Sequence, residues 1–523
     1  MDTAENYELI GTITSDEDTP NFEVVRVKLK TGKEVKPGAL VRIPTQRYNS
    51  QTVLIGRIRS AYERNPNESA DNINVRDTLG MEPRYPNEED STVIYRQVEV
   101  DLLEEISQDQ EGKKIIASPQ TLPVAGSKVY LATEDDTIEV LGLEPNPDGG
   151  LDIGKTTGGL EVPVALKREI IQRHLFIGGT TGSGKSYAMG VVTEELIKQK
   201  LPVIFIDTQD EYATLVEKLG GKVCIPGEDF TVRVSSLSEG ELINLIPTDS
   251  NLQKDIISAA FLELKSELLS GKISKFSIAD IETRIDVVGP SLTNNNSSIV
   301  LARKRTNFLT NHKIFGNGIG KENWPEHMIP CMSIRCKHLV SSQLQIVATA
   351  ILRELQDLRL RGFIPPYVAV IDEAHLFVPQ GENTPCKQII REGVRIGRHH
   401  GIAMVLLTQS PVDIDKSAIR QCNTRMVFAL EPDQLDAIKG VKADATEEML
   451  KALPKMPRGT CLLSGTYETL KHAITVKIRT RHTTDSEGGK APDIFKEMTE
   501  GLNNSGDHKW SNYYNGSKKK NNK

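Results

Sequence analysis

Residues 174–186 read HLFIGGTTGSGKS, and within them Gly179-x-x-x-x-Gly184-Lys185-Ser186 is the full Walker A pattern. An apolar run, Leu175 to Gly178, precedes it and a helical pattern, Tyr187 to Lys198, follows. This context constrains the chain to a strand, a phosphate loop and a helix in succession. Gly182 and Gly184 let the backbone turn tightly enough to aim several N–H groups at one anion. The helix N-terminus adds the positive end of its dipole. Lys185 is placed to reach β- and γ-phosphate oxygens, and Ser186 to offer a hydroxyl to Mg²⁺. The expected nucleotide-binding set is Gly179, Thr180, Thr181, Gly182, Ser183, Gly184, Lys185, Ser186 and Tyr187, with ATP and Mg²⁺ as ligands.

A second apolar strand, Val368 to Asp372, ends in Asp372-Glu373, the Walker B pattern. Asp372 is expected to hold Mg²⁺, usually through water, and Glu373 to polarise the attacking water as general base. A third strand, Ile402 to Thr408, ends in Gln409, placed for contact with the γ-phosphate or that water. A strand starting near Val203 intervenes in sequence between the two motifs and is taken to mark the additional-strand class of P-loop ATPases; Asp207-x-x-x-Glu211-Tyr212 follows it. Arg391, Arg395 and Arg398 fall at helical spacing on one face. Either Arg395 or Arg398 suits an arginine finger reaching a neighbouring subunit's γ-phosphate, and Arg425 is a further candidate.

The chain has 523 residues, more than one core usually organises, so several domains are expected. Residues 1–133 carry short strand signals punctuated by turns: Val25 to Lys30, Ala39 to Ile43, Val53 to Ile58, Val93 to Leu103 and Lys128 to Ala132. They predict a small β-barrel, with residues 64–92 as an inserted polar loop. Residues 134–161, rich in Gly and Pro, read as a linker. Residues 162–482 alternate apolar strands with helical patterns, predicting an α/β P-loop core of the RecA/FtsK-like additional-strand type. A helical insertion is expected over about 239–320, carried by Ile256, Phe261, Leu262, Leu264 and Leu268, with Thr293 to Ser298 as a polar loop. Arg425 to Leu430 supplies a last core strand, and residues 483–523 read as a flexible tail.

The net charge of −7 argues against a protein that coats nucleic acid with its whole surface. It does not exclude gripping a phosphate backbone with a few channel-lining cations. Six scattered cysteines lack C-x-x-C spacing and read as buried thiols in a reducing compartment. With no apolar run of spanning length and no secretory signal, a cytoplasmic location without a membrane anchor is expected.

The order of these motifs, with Arg395-Ile396-Gly397-Arg398, a Thr-Gln-x-Pro strand end and Gln421-Cys422-Asn423-Thr424-Arg425, resembles the HerA family of bipolar DNA helicase/translocases, within the group that includes the FtsK motors. The resemblance covers roughly residues 8–490. It implies a homo-hexameric ring that pumps double-stranded DNA. It also implies a partner, a NurA-like nuclease in end resection and repair or an effector in anti-phage defence, docked on the N-terminal barrel. Val476 to Arg481 resembles the family's closing strand, whose continuation lies over the adjacent nucleotide. Two departures stand out: Ser410 follows Gln409 where the family commonly has Arg, and Ile396 replaces Glu in its Arg-Glu-Gly-Arg segment. Two other readings compete, an ATP-switched ring scaffold for an effector and a secretion or conjugation motor.

Overall fold

The computed structural model describes residues 7–483 except 16–17, 48–49, 65–77, 80–94, 110, 312, 320–322, 383 and 441–442. Most of the 64–92 loop and nearly all of the expected tail lie outside the described residues.

The N-terminal strands are β1 (Leu9–Thr14), β2 (Val24–Leu29), β3 (Leu40–Arg47), β4 (Ser50–Arg64), β5 (Tyr95–Gln108), β6 (Lys114–Ala117) and β7 (Lys128–Leu131). Antiparallel pairing runs β2-β1-β7-β3-β4-β5 and returns from β5 to β2, so six strands close into a barrel with β6 on the extension of β5. Closure removes the open sheet edges. Alternating residues, among them Ile10, Val25, Val27, Ile43, Leu54, Val98 and Val129, point inward and fill it.

Helix α1 (Glu134–Leu141) follows, held by a Thr133–Asp136 capping box. Then come β8 (Leu151–Thr156), β9 (Pro163–Leu166), β10 (Leu175–Gly178), α2 (Lys185–Lys198), β11 (Val203–Asp207), α3 (Ala213–Lys218) and β12 (Lys222–Cys224). The segment read as a linker is therefore structured: it holds α1 and β8. Leu151 and Ile153 are fully buried in the sheet core, a two-residue alternation that the surrounding Gly and Pro obscured.

Helices α4 (Glu239–Leu245), α5 (Asn251–Leu269), α6 (Ile278–Leu292) and α7 (Asn296–Asn307) pack on a core of their own around Ile256, Phe261 and Ile281. Leu262 does not join that core; it faces solvent. The polar stretch expected as a loop to Ser298 ends at Asn295, whose side chain caps α7 by accepting from the Ser298 N–H. An ion pair between Glu241 of α4 and Arg353 ties this bundle to the core.

The chain continues with α8 (Trp324–Met328), β13 (Cys331–Arg335), α9 (Ser341–Leu360), β14 (Tyr367–Ile371), α10 (Pro385–His400), β15 (Ile402–Thr408), α11 (Lys416–Gln421), β16 (Thr424–Val427), α12 (Leu435–Lys439), α13 (Glu447–Ala452), β17 (Thr460–Gly465) and β18 (Ile474–Ile478). The core sheet runs β12-β13-β11-β14-β15-β10-β16-β17-β18-β8-β9, parallel through β16 and antiparallel beyond. Both faces are covered, so its parallel strands are mostly apolar.

One expectation changes here. The strand that separates the phosphate-loop strand β10 from the acid strand β14 is β15, not the Val203 strand β11, which lies on the far side of β14. Intervening in sequence and intervening in the sheet are different properties. The spatial insertion places the tip of β15 between the two motifs. The last strand is also shorter than expected: β16 ends at Val427, and Phe428 to Leu430 continue as irregular chain.

Candidate active site

The phosphate loop leaves the C-terminal end of β10 and enters α2 at Lys185. Gly179, Gly182 and Gly184 adopt φ of 158°, 76° and 118°. Those of Gly182 and Gly184 suit glycine far better than other residues. A Cβ at Gly179 would also lie 2.7 Å from Cβ of Phe428. The Thr180 carbonyl is a hub: it accepts from Ser183 Oγ at 2.7 Å and from Lys185 Nζ at 3.0 Å. Burial lowers the Lys185 pKa, opposed by the nearby Glu373, Glu211 and Asp372 carboxylates. Its ammonium therefore sits on a carbonyl that a phosphate oxygen could replace as acceptor.

Asp372 lies just past β14 in a buried position and accepts from Thr208 Oγ1 at 2.8 Å. Burial pushes its pKa up to about 7; the Thr208 bond opposes this, while Glu373, Asp207 and Glu211 add repulsion. Ser186 Oγ donates to Glu211 Oε2. Asp207 acts on the backbone instead. It accepts from the Glu211 and Tyr212 amides at 3.1 and 3.0 Å and from Ser333 Oγ at 3.2 Å, fixing the turn that delivers Glu211. Asp372, Glu373 and Glu211 lie near the loop lysine, and among them Asp372, with the Ser186 hydroxyl, supplies hard oxygen of the kind Mg²⁺ prefers.

Glu373 is held at φ 47°, ψ 52°, a conformation unusual for a non-glycine residue. Its Oε2 accepts from the Gln409 amide at 3.3 Å and lies 3.3 Å from His375 Nδ1, which is 3.0 Å from Thr408 Oγ1. Gln409 in turn accepts from Thr181 Oγ1 at 2.6 Å. A chain of contacts thus links the acid strand, the tip of β15 and the phosphate loop. The structure brings Lys185, Ser186, Asp372, Glu373 and Gln409 into one site.

Tyr187 stands on the first turn of α2, its ring 4.9 Å from the Arg481 guanidinium and its hydroxyl accepting from the Arg481 amide at 2.8 Å. Arg479 anchors this segment after β18 through Glu194 and Glu195 of α2, at 2.9 and 2.8 Å.

The arginines are elsewhere. Arg391, Arg395 and Arg398 are exposed along α10, on the side away from the sheet, which that helix approaches through Gly393 and Gly397. Arg398 lies close to the start of β15 and Gln409 just past its end, a strand's length of about 20 Å away at ~3.3 Å per residue. The structure does not bring Arg395 or Arg398 to its own chain's phosphate loop. Arg425 is buried at the beginning of β16, opposite Phe176 of β10, about 10 Å of strand short of that loop at ~3.3 Å per residue.

His174 has a part that nothing in its sequence surroundings announces. Its Nε2 meets the Val394 carbonyl at 2.7 Å and its Nδ1 accepts from the Met404 amide at 3.1 Å, so Nε2 carries the proton. The ring locks the entrance of β10 to α10 and β15. Thr208 and Glu211 were also given no role; only the Asp207-x-x-x-Glu211-Tyr212 pattern pointed toward them.

Residues 151–355 match the family described as "Helicase HerA, central domain", and residues 365–478 match an "AAA-like domain". A probable helicase of Methanocaldococcus jannaschii is 26% identical over 425 residues, covering 75% of this chain and 79% of that protein. The DNA double-strand break repair helicases HerA of Sulfurisphaera tokodaii and Sulfolobus acidocaldarius are 25% and 22% identical. They cover 71% and 68% of this chain, and 76% and 74% of their own lengths. The solved structure of VirB4 of Thermoanaerobacter pseudethanolicus superposes with a TM-score of 0.52 at 15% identity over 64% of this chain and 98% of that one, a likeness of fold.

Proposed function

The chain belongs to the HerA group of P-loop ATPases, and from that premise we propose that it hydrolyses ATP to drive double-stranded DNA through a homo-hexameric ring, delivering it to a nuclease or defence effector docked on the barrel. The observation that carries this reading is the incomplete cation set. Lys185 is the phosphate loop's own cation and Arg481 is stacked on Tyr187, while Arg391, Arg395 and Arg398 stand exposed on α10 with no ion pair among the described residues. A site needing a second cation and a surface offering one, a strand's length apart in a single chain, suit neighbours arranged head to tail.

Within the site, Lys185 would exchange the Thr180 carbonyl for phosphate oxygens. Ser186 would release Glu211 to face Mg²⁺, with Asp372 oriented toward it by Thr208. Bound Mg²⁺ would supply charge neutralisation at the β- and γ-phosphates. Glu373, held by the Gln409 amide, would take a proton from the attacking water, and Gln409 would orient that water. Arg395 or Arg398 of the adjoining subunit would stabilise charge building on the γ-phosphate. The archaeal relatives named for double-strand break repair support a DNA substrate.

The test is ATP turnover with and without linear duplex, beside Glu373→Gln examined by particle size on DNA. Stimulation by duplex and a DNA-bound ring held by the variant are expected. Turnover indifferent to DNA, with no DNA-bound species, would replace the motor by an ATP-switched scaffold.

A further inference from the structure

Arg425 is 6% exposed, yet its Nε has no hydrogen-bond partner among the described residues, and its Nη2 makes only a 3.4 Å bond to the Arg420 carbonyl. No carboxylate pairs with it there. Burial lowers its pKa, as expected for a cation taken from water without a counter-charge. A buried guanidinium left in this condition is costly unless something else satisfies it.

That guanidinium lines a cavity of about 450 Å³ with Arg420, Lys471, Asp444, Thr466 and Tyr467. Arg420 comes from the end of α11, Asp444 from the connection between α12 and α13, and Lys471 from the β17–β18 connection. Lys471 lies with its Nζ 5.5 Å from the Tyr467 ring centroid. Three cationic residues from three elements thus line it. The one carboxylate in the wall is already engaged: Asp444 accepts from the Ala473 amide at 2.7 Å, meets His472 Nδ1 at 3.0 Å and lies 4.0 Å from Arg57. The local balance favours an anion, and backbone at Gly440, Ala443 and Gly465 leaves room for one. Planar guanidinium forks flanked by an ammonium suit tetrahedral oxyanions, phosphate above all.

We infer that Arg425, Arg420 and Lys471 form a second phosphate-binding site, where β16 begins, at the end of the strands away from the ATP loop. Its ligand carries a phosphate group, either a strand phosphodiester or a free phosphate such as that of a nucleotide. Arg425 forms the buried floor and Arg420 and Lys471 the rim. This site stands independently of the motor reading, because none of its residues belongs to the hydrolytic set.

The experiment uses the full chain with its phosphate loop saturated by ADP and Mg²⁺, so that added anion reports elsewhere. Inorganic phosphate is titrated calorimetrically, and an unphosphorylated duplex oligonucleotide by fluorescence anisotropy across salt concentrations. The same titrations are run on Arg420→Ala/Lys471→Ala, with folding checked by melting temperature, and on Arg425→Lys. The double variant is expected to weaken phosphate binding at least tenfold while basal ATP turnover stays unchanged. Arg425→Lys, keeping charge but losing the fork, is expected to give an intermediate loss. If phosphate and duplex both weaken, with a salt slope shallower by about 1–2 for the duplex, the site takes strand phosphates. If phosphate alone weakens, the ligand is a free phosphate. Undetectable phosphate and duplex binding outside the ATP loop, or binding that the rim variant leaves unchanged, overturns the site.

Discussion

At the residue scale, the site depends on groups whose surroundings oppose their charge. Lys185 is a buried amine whose pKa burial lowers against the pull of nearby carboxylates, and Asp372 a buried carboxylate pushed up to about 7 by burial. Lys185→Ala should lower turnover by about 10²–10³-fold or more, because the phosphates lose their principal cation; near-normal initial rates would dismiss the phosphate-site assignment. His174 offers a stability test. Its pKa is lowered to about 4 by burial, with the Val394 bond opposing, against an ordinary 6.5. The neutral ring is the folded form, so its contribution is complete above about pH 6.5 and is lost as pH falls from there toward 4. His174→Ala leaves the Met404 amide unpaired in the core and should cost about 1–3 kcal/mol, with a flatter melting-temperature profile over that pH window. An unchanged profile would remove the imidazole from this role. The phosphate-loop and acid-strand residues were legible because their spacing is set by the ligand's own dimensions. His174 was not, since its partners are backbone groups 220 and 230 positions away.

At the element scale, α10 determines what the molecule can offer a neighbour. Thr384 caps it by accepting from the Lys387 amide, Pro385 opens it, and Gly401 at φ 69° ends it. Gly397 lets it lie against the sheet: a Cβ there would sit 2.1 Å from the Ile402 carbonyl oxygen. Gly397→Ala should cost about 1–3 kcal/mol, read as a lowered melting temperature; no change would mean that the contact is looser than drawn. Arg398→Ala should reduce turnover but leave nucleotide affinity largely intact. Mixed with Lys185→Ala chains it should recover part of the lost rate, and failure to recover would confine that arginine to its own subunit. Strand identity was readable where apolar runs are uninterrupted, as in β10, β14 and β15. It was hidden in β8, where Gly150 and Gly154 flank the buried Leu151 and Ile153, and sheet order was hidden because β11 and β15 look alike as sequences.

At the scale of the whole molecule, the barrel is fastened to the core by a polar junction. Arg57 of β4 donates to the Ala473 carbonyl at 2.7 Å, and His472 bridges Glu104 of β5 and Asp444 at 3.0 Å each. Burial lowers the His472 pKa, but bonding to Asp444 and Glu104 outweighs it and the net shift is upward. Its contribution is therefore complete below about pH 6.5 and is lost as pH rises through the raised folded value. Hydrogen exchange at the Ala473 amide should quicken across that rise in the native chain, and Glu104→Gln should weaken the pH dependence; exchange insensitive to pH beyond its intrinsic trend would discount the latch. Such long-range polar contacts leave no periodicity in the sequence, whereas the barrel's alternating strands did.

The central claim is that one chain cannot complete its own catalytic site. Turnover per chain, measured beside light-scattering mass across a dilution series at saturating ATP and Mg²⁺, tests it most directly. Turnover per chain is expected to collapse as the particle dissociates from about six copies toward the 57.9 kDa of one. Full turnover per chain from particles of single-chain mass would contradict it.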